Sequence, residues 1–348
     1  MYHRSIGWVT AAVSLICVPC SRALAQGERL QIHVAETHSL ELSELMRIGS
    51  LDGPSDAFGR IRAVALDRSE RLYVADDFNH DIRVFEFDGQ LVRIIGREGE
   101  GPGEFRDPWG VAIDDADTLL VWDQNLARFS VFDPQGAFRR SFAPPRHWLV
   151  NTMRFLPGGD LLVAAFGSTD TWGLHRLDRD GELIAEFGTV PVDPNIYPGF
   201  VGSLFGGAAD VIDDGGIVYT RKSPYELLFF DPRGRHMQTC VGSEDWTTPP
   251  IEVVENRGEQ EIGLRWDQFV HSSRVFALDE GMFLNVVVDL PNNRTILDIV
   301  SADCRLLCRH TLNELLLVRD VRENHIVATV ESDIPEVIVF QFSVHMQE

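Results

Sequence analysis

Asp76, Asp77, Asn79, His80 and Asp81 crowd carboxylates, an amide and an imidazole into a few consecutive positions of RLYVADDFNHDIRVFEFDG, residues 71–89. Side chains at that density have two chemical uses. They can supply the converging oxygens that a hard cation such as Ca²⁺ requires, or they can hydrogen-bond nearby backbone N–H groups and hold a loop in shape. Asp123 and Asn125 repeat part of the cluster about 45 residues later, and that repetition favours the loop-shaping use. His80, His175 and His271 lack the paired spacing of a zinc site. No G-x-S-x-G string marks a nucleophile elbow, and a Ser-His-Asp triad has no fixed order from which it could be read.

The elements that carry this cluster are strands. Leu72 and Val74 alternate with polar neighbours before it, Ile82, Val84 and Phe85 follow it, and Asp88-Gly89 closes the segment as a tight turn. The end of the first strand recurs as a marker at Asp67, Asp114, Pro157, Asp213, Asp279 and Glu323, with spacings of 47, 43, 56, 66 and 44 residues. Six units are present. Each marker is followed by a polar turn and a second apolar strand, starting at Leu72, Leu119, Leu161, Ile217, Phe283 and Ile326. Third strands run into Asp-Gly-like turns at 88–89, 133–136, 178–181 and 231–234. A period of roughly 40 to 50 residues with four strands per unit predicts a six-bladed β-propeller of antiparallel blades; the period-two alternation disfavours a helical solenoid.

The same stretch resembles the NHL repeat, since Asn79-His80-Asp81-Ile82 stands where that repeat carries its Asn-His-Leu triplet. The resemblance extends through IIGREGEGPGEFRDPWGVAID, residues 94–114, as a fourth strand, a Gly-rich connection and the next first strand. It implies the same six-bladed fold. Two enzyme groups with related architecture set the alternatives. Gluconolactonase-like and paraoxonase-like hydrolases hold a divalent metal in the tunnel with Glu, Asp and Asn from several blades, and amidating lyases use His-bound zinc.

The sixth unit stops at its third strand, 337–345, so the ring needs another strand to close it. Residues 40–67 parallel 91–114 feature for feature, which makes Leu45 to Ile48 the missing fourth strand, within a closing segment near 40–48. Such a clasp protects the open edge of the last blade.

Met1 to Ala25 reads as a secretory leader: Arg4 precedes an apolar run over 6–18, and Ala23-Leu24-Ala25 fits a small-x-small cleavage pattern. The apolar run is shorter than a spanning helix needs, and Ile16 and Pro19 disfavour lipid attachment at Cys17 or Cys20. The single propeller domain then occupies 26–348, periplasmic or extracellular, with no transmembrane segment. Losing Arg4 and Arg22 takes the formal charge from −22 to −24, which disfavours a nucleic-acid partner. Cys240, Cys304 and Cys308 survive cleavage and form no zinc pattern; they are read as small core residues or one local disulfide, with at least one thiol left over.

Connections from fourth to next first strands share a face with the loops between second and third strands. That face carries two insertions, near 189–208 and 243–273, and long loops on a rigid scaffold are where binding sits. Five residues before each marker stand Arg62, Trp109, Thr152, Ala208, Arg274 and Val318. This register holds two cations and no carboxylate, and the nearby Asp107 and Asn151 make no cage by themselves, so no cofactor is expected, with a tunnel Ca²⁺ or Zn²⁺ as the alternative. Arg62, Trp109, Asn151 and Arg274, framed by Trp246 and Trp266, form the candidate ligand site, suited to an anionic or aromatic ligand or an acidic loop of a protein partner. The expected function is a binding or interaction module; a tunnel-mouth hydrolase or lyase is the alternative.

Overall fold

The computed structural model describes residues 27–347 apart from 51–52, 54, 167–170, 192–205, 243–250, 257–258 and 265–267. The expected leader lies outside them. Blade 1 is built from Ile61–Leu66, Leu72–Asp76, Asp81–Phe85 and Leu91–Ile95, in that order from the axis outward. Blade 2 follows as Pro108–Ile113, Leu119–Asp123, Arg128–Phe132 and Phe138–Phe142, and blade 3 as Leu149–Phe155, Leu161–Phe166, Thr171–Leu177 and Leu183–Pro191. Blade 4 comprises Gly207–Val211, Ile217–Arg221, Glu226–Phe230 and His236–Val241. Blade 5 comprises Val270–Ala277, Met282–Asp289, Arg294–Ser301 and Arg305–Leu312. Every ladder within these blades is antiparallel.

Burial follows from position within a blade. The second strand of blade 1, LYVAD, is buried throughout because neighbouring blades cover both its faces, whereas the outer strand LVRII alternates between half-buried and exposed before ending on the buried Ile95. Apolar side chains of each blade meet those of the next in six clusters among the described residues. One of them joins Val64, Leu72 and Phe85 of blade 1 to Val327, Val337 and Val339 of blade 6, which closes the ring. The third-to-fourth turns work as expected: Asp133 accepts from the backbone N–H groups of Gln135 and Ala137, and Gly136 takes the positive φ of 81° that an L side chain resists.

Blade 6 contains Leu317–Arg322, His325–Val330 and Glu336–Met346, and its fourth strand is the N-terminal His38–Ile48. The clasp runs antiparallel to Glu336–Met346, from Ile48 opposite Val337 to His38 opposite Met346, and is longer than the sequence pattern indicated. A further strap precedes it. Glu28–Gln31 lies parallel to the outer strand of blade 4, and His33–Val34 lies parallel to that of blade 5. Three consecutive blade edges are thus covered by one N-terminal segment.

The cysteine pairing corrects the expectation of a local bridge. Cys240, on the outer strand of blade 4, is bonded to Cys304, in a turn of blade 5, with Cα atoms 5.3 Å apart and 64 residues between them. Cys308 is free and buried, and burial pushes its thiol up to about 11. A cross-link over so long a loop restricts the unfolded chain. Cys304→Ser is therefore expected to lower unfolding stability by about 2–4 kcal/mol. Urea titration of the oxidised protein, with and without reductant, checks this: reductant should reproduce the loss in the wild type and add nothing in the variant.

Candidate functional site

Asp76 spends its carboxylate on the backbone. It accepts from the N–H groups of Gly59, Arg60, Phe78 and Asn79, and from the Asn79 amide. Asp123 does the same one blade later for Arg106, Asp107 and Leu126. Each acid therefore ties the chain entering an inner strand to the loop between the second and third strands of the same blade, the loop-shaping use of the cluster. Asp81 is buried beside Arg83, and its desolvation raises its pKa to about 6. Among the described residues no group of three His, Cys, Asp or Glu side chains is placed to hold a metal ion.

The inner strands share a local irregularity. In blades 1, 2, 3, 5 and 6 the ladder between first and second strands skips one residue near the start of the first strand: Arg62, Trp109, Asn151, Ser273 and Arg319. A bulge of this kind leaves the extra residue without a cross-strand partner and re-aims its side chain. Arg62, Trp109, Asn151 and Arg319, together with Arg274 beside the blade 5 bulge, line a cavity of about 210 Å³ at the axis of the ring. It opens on the face from which the inter-blade insertions leave.

Within that cavity the four candidates described here differ in how they are held. Arg62 donates through Nε to Asp77 at 2.6 Å and lies over the Trp109 ring at 4.1 Å. Arg60 also binds Asp77, and although burial pushes that carboxyl up, the two guanidinium groups hold it below its ordinary value. The nearby Asp107 carboxyl is raised by burial and by the neighbouring Asp77 charge. Asn151 donates to the carbonyl of Gly207 at 2.6 Å and so tethers blade 3 to blade 4. Arg274 makes no hydrogen bond and no ion pair with any described residue. Burial, then Arg319 and Arg154, push its pKa down to about 9, which leaves it a cation at neutral pH. Trp246 and Trp266 lie outside the described residues.

Arg319 is the residue the aligned register missed. Its Nε donates to Thr329 Oγ1 at 2.8 Å, and a terminal nitrogen reaches the exposed Glu331 at 3.3 Å. The bulge lies one position after the Val318 that counting selected. An Arg directly after Val318, in a strand whose counterparts bear Arg62 and Arg274, was the available signal.

One layer deeper, Arg154 bridges Asp210 at 2.7 Å and Asp320 at 3.1 Å across the tunnel. Burial works against the Arg154 charge, but the two carboxylates more than offset it and hold its pKa above the ordinary value. Asp320 also accepts from Leu66 N–H, and Asp210 from Ala277 N–H. Five of the six blades meet in this triad. Arg154 lines both the small cavity and the larger funnel of about 1470 Å³ on the opposite face, so it forms the floor between them. That funnel is walled mostly by the short turns between first and second strands, including Asp114, Pro157, Asp213 and Glu323.

The family model described as a 6-bladed beta-propeller matches residues 32–142, which span the clasp and blades 1 and 2. No curated protein matches the chain. Among solved structures, a presumed exported protein of Bacteroides fragilis superposes with a TM-score of 0.58 at 11% identity, covering 92% of this chain and 99% of that one. A member of the duf4221 family from Bacteroides vulgatus gives 0.59 at 10% identity, with coverage of 90% and 100%. The catalytically inactive virginiamycin B lyase of Staphylococcus aureus, with quinupristin, gives 0.51 at 9% identity, with coverage of 86% and 99%. At these identities the likeness is one of fold, and the fold it establishes is the six-bladed β-propeller.

Proposed function

We propose that this protein is an exported binding module that takes a small ligand into the cavity at the insertion-bearing mouth of its tunnel. The observation that carries the reading is the repeated bulge, which turns Arg62, Trp109, Asn151 and Arg319 toward one walled space while the rest of each inner strand stays regular. A walled cavity of about 210 Å³ favours a small molecule over a folded partner. Export is supported by the leader pattern, by the Cys240–Cys304 disulfide, and by likeness to the presumed exported Bacteroides protein. The NHL-like wording of residues 71–114 fits a propeller that presents a binding face.

Trp109 supplies the test, because it gives the cavity its largest apolar wall. A small-molecule library screened by thermal shift should yield compounds that raise the Tm of the wild type by several degrees and leave Trp109→Ala unmoved. The variant starts from a lower Tm because Trp109 also packs between blades 2 and 3, so the ligand-induced shift is the quantity read. Compounds that stabilise both proteins equally would place binding elsewhere.

A further inference from the structure

Four arginines line the cavity, and three of them are matched. Arg154 is held by Asp210 and Asp320, Arg62 by Asp77, and Arg319 by Glu331 and Thr329. Arg274 alone among these four has neither a hydrogen bond nor an ion pair to a described residue. A guanidinium carries five N–H donors in a rigid fork, and leaving them unused away from bulk water is costly. The Asp320 and Asp210 carboxylates of the floor offset the Arg274 charge at a distance, but neither engages its donors. The other polar groups of the cavity wall are engaged elsewhere: Thr152 Oγ1 accepts from Ala209 N–H, the Asn151 amide donates to the Gly207 carbonyl and Glu331 pairs with Arg319, while Val150 and Val111 are apolar.

We infer that the cavity binds a small organic monocarboxylate, with the carboxylate group on Arg274 and Arg319 and the organic body against Trp109; this rests on the binding reading above. Carboxylate oxygens match the guanidinium fork with two parallel hydrogen bonds. A single carboxylate is the natural complement, because Arg274 alone of the four lacks a contact partner among the described residues. A phosphate dianion would place its second charge near Asp77, Glu331, Asp210 and Asp320, and the mouth would oppose it. The depressed pKa of Arg274 agrees with this arrangement, since a bound carboxylate relieves the repulsion from Arg319 and Arg154.

The experiment is calorimetric titration of the leaderless protein with sodium monocarboxylates from acetate to benzoate and phenylacetate. Each is compared with its own amide, with inorganic phosphate, and with sodium chloride at equal ionic strength. At least one carboxylate should bind at least tenfold more tightly than its amide and than phosphate. Arg274→Met should lose at least tenfold of that affinity, and Arg274→Lys should lose less. Because Met removes an unpartnered cation, the Tm of Arg274→Met should equal or exceed that of the wild type. Unchanged carboxylate affinity in Arg274→Met overturns the inference, as does a marked fall in its Tm, which would make Arg274 a structural residue. An amide or phosphate that binds as well as the carboxylate overturns the ligand class, as does a wild type that binds none of the panel. Compounds whose thermal shift depends on Trp109 but not on Arg274 would uphold the cavity as a site while rejecting the carboxylate.

Discussion

Replacing Arg154 with alanine is expected to cost about 3–5 kcal/mol of folding stability at pH 8, the range for removing one partner of a buried ionic set. The cause is what the substitution leaves behind. Asp210 and Asp320 would face each other across the tunnel floor with no counter-ion, each still held in place by a backbone N–H from another blade. In the wild type burial already raises the Asp320 pKa. Without Arg154, repulsion between the two carboxylates raises the Asp320 carboxyl further, so the folded variant binds protons more tightly than its unfolded chain. The deficit is then fully present above the raised folded-state value and shrinks as pH falls through it, so the gap to the wild type should be smaller at pH 5 than at pH 8. Arg154→Met combined with Asp210→Asn and Asp320→Asn should recover most of the loss, because amide oxygens can still accept from Leu66 and Ala277. Chemical denaturation at the two pH values reads all three forms. A loss below about 1 kcal/mol for Arg154→Ala would mean that the triad does not hold the ring together.

This triad was present in the sequence at a register that the five-residue offset passed over. Three residues before the markers stand Val64, Val111, Arg154, Asp210, Phe276 and Asp320, one per blade, and the charged members form the floor. The repeat therefore gave the axis and its layers. It did not give the bulges, because an extra residue in an inner strand leaves the marker spacing readable while changing which side chain faces the tunnel. That is why the offset picked Arg62, Trp109 and Arg274, which line the cavity, but fell on Val318, one position short of Arg319, which lines it too. Asp77 as the partner of Arg62 depends on how the blade 1 loop folds back over the inner strand, a tertiary fact that no local pattern carries. The Cys240–Cys304 bond joins two blades and was equally hidden. The strap was legible, since Leu30, Ile32 and Val34 alternate with polar neighbours, but a run so short had no partner until the ring existed.

Deleting residues 27–48 is expected to abolish soluble, folded protein, while excising the 251–264 hairpin should lower the Tm by only a few degrees. The clasp occupies both interfaces of blade 6. Leu40 packs among Leu307, Ile338 and Phe342 on the blade 5 side, and Ile48 among Val337, Val339 and Phe58 on the blade 1 side. Burying two such side chains contributes about 1.5–3 kcal/mol each before the ladder is counted. Losing the ladder would also expose the edge of Glu336–Met346 over its whole length, with Val337 and Val339 beneath it, a template for pairing between molecules. The hairpin, in contrast, pairs Ile251–Asn256 with Glu259–Leu264 as a sheet of two strands, outside every blade ladder. The measurement is the soluble yield and melting temperature of the two deletions, the hairpin replaced by a short Gly-Ser linker. Refolding the clasp deletion with a synthetic peptide of residues 27–50 should restore a cooperative transition, because the vacated edge accepts a strand in trans as it does in cis. Equal melting temperatures for the two deletions, or a clasp deletion that stays monomeric and indifferent to the peptide, would show that the ring closes by blade packing alone.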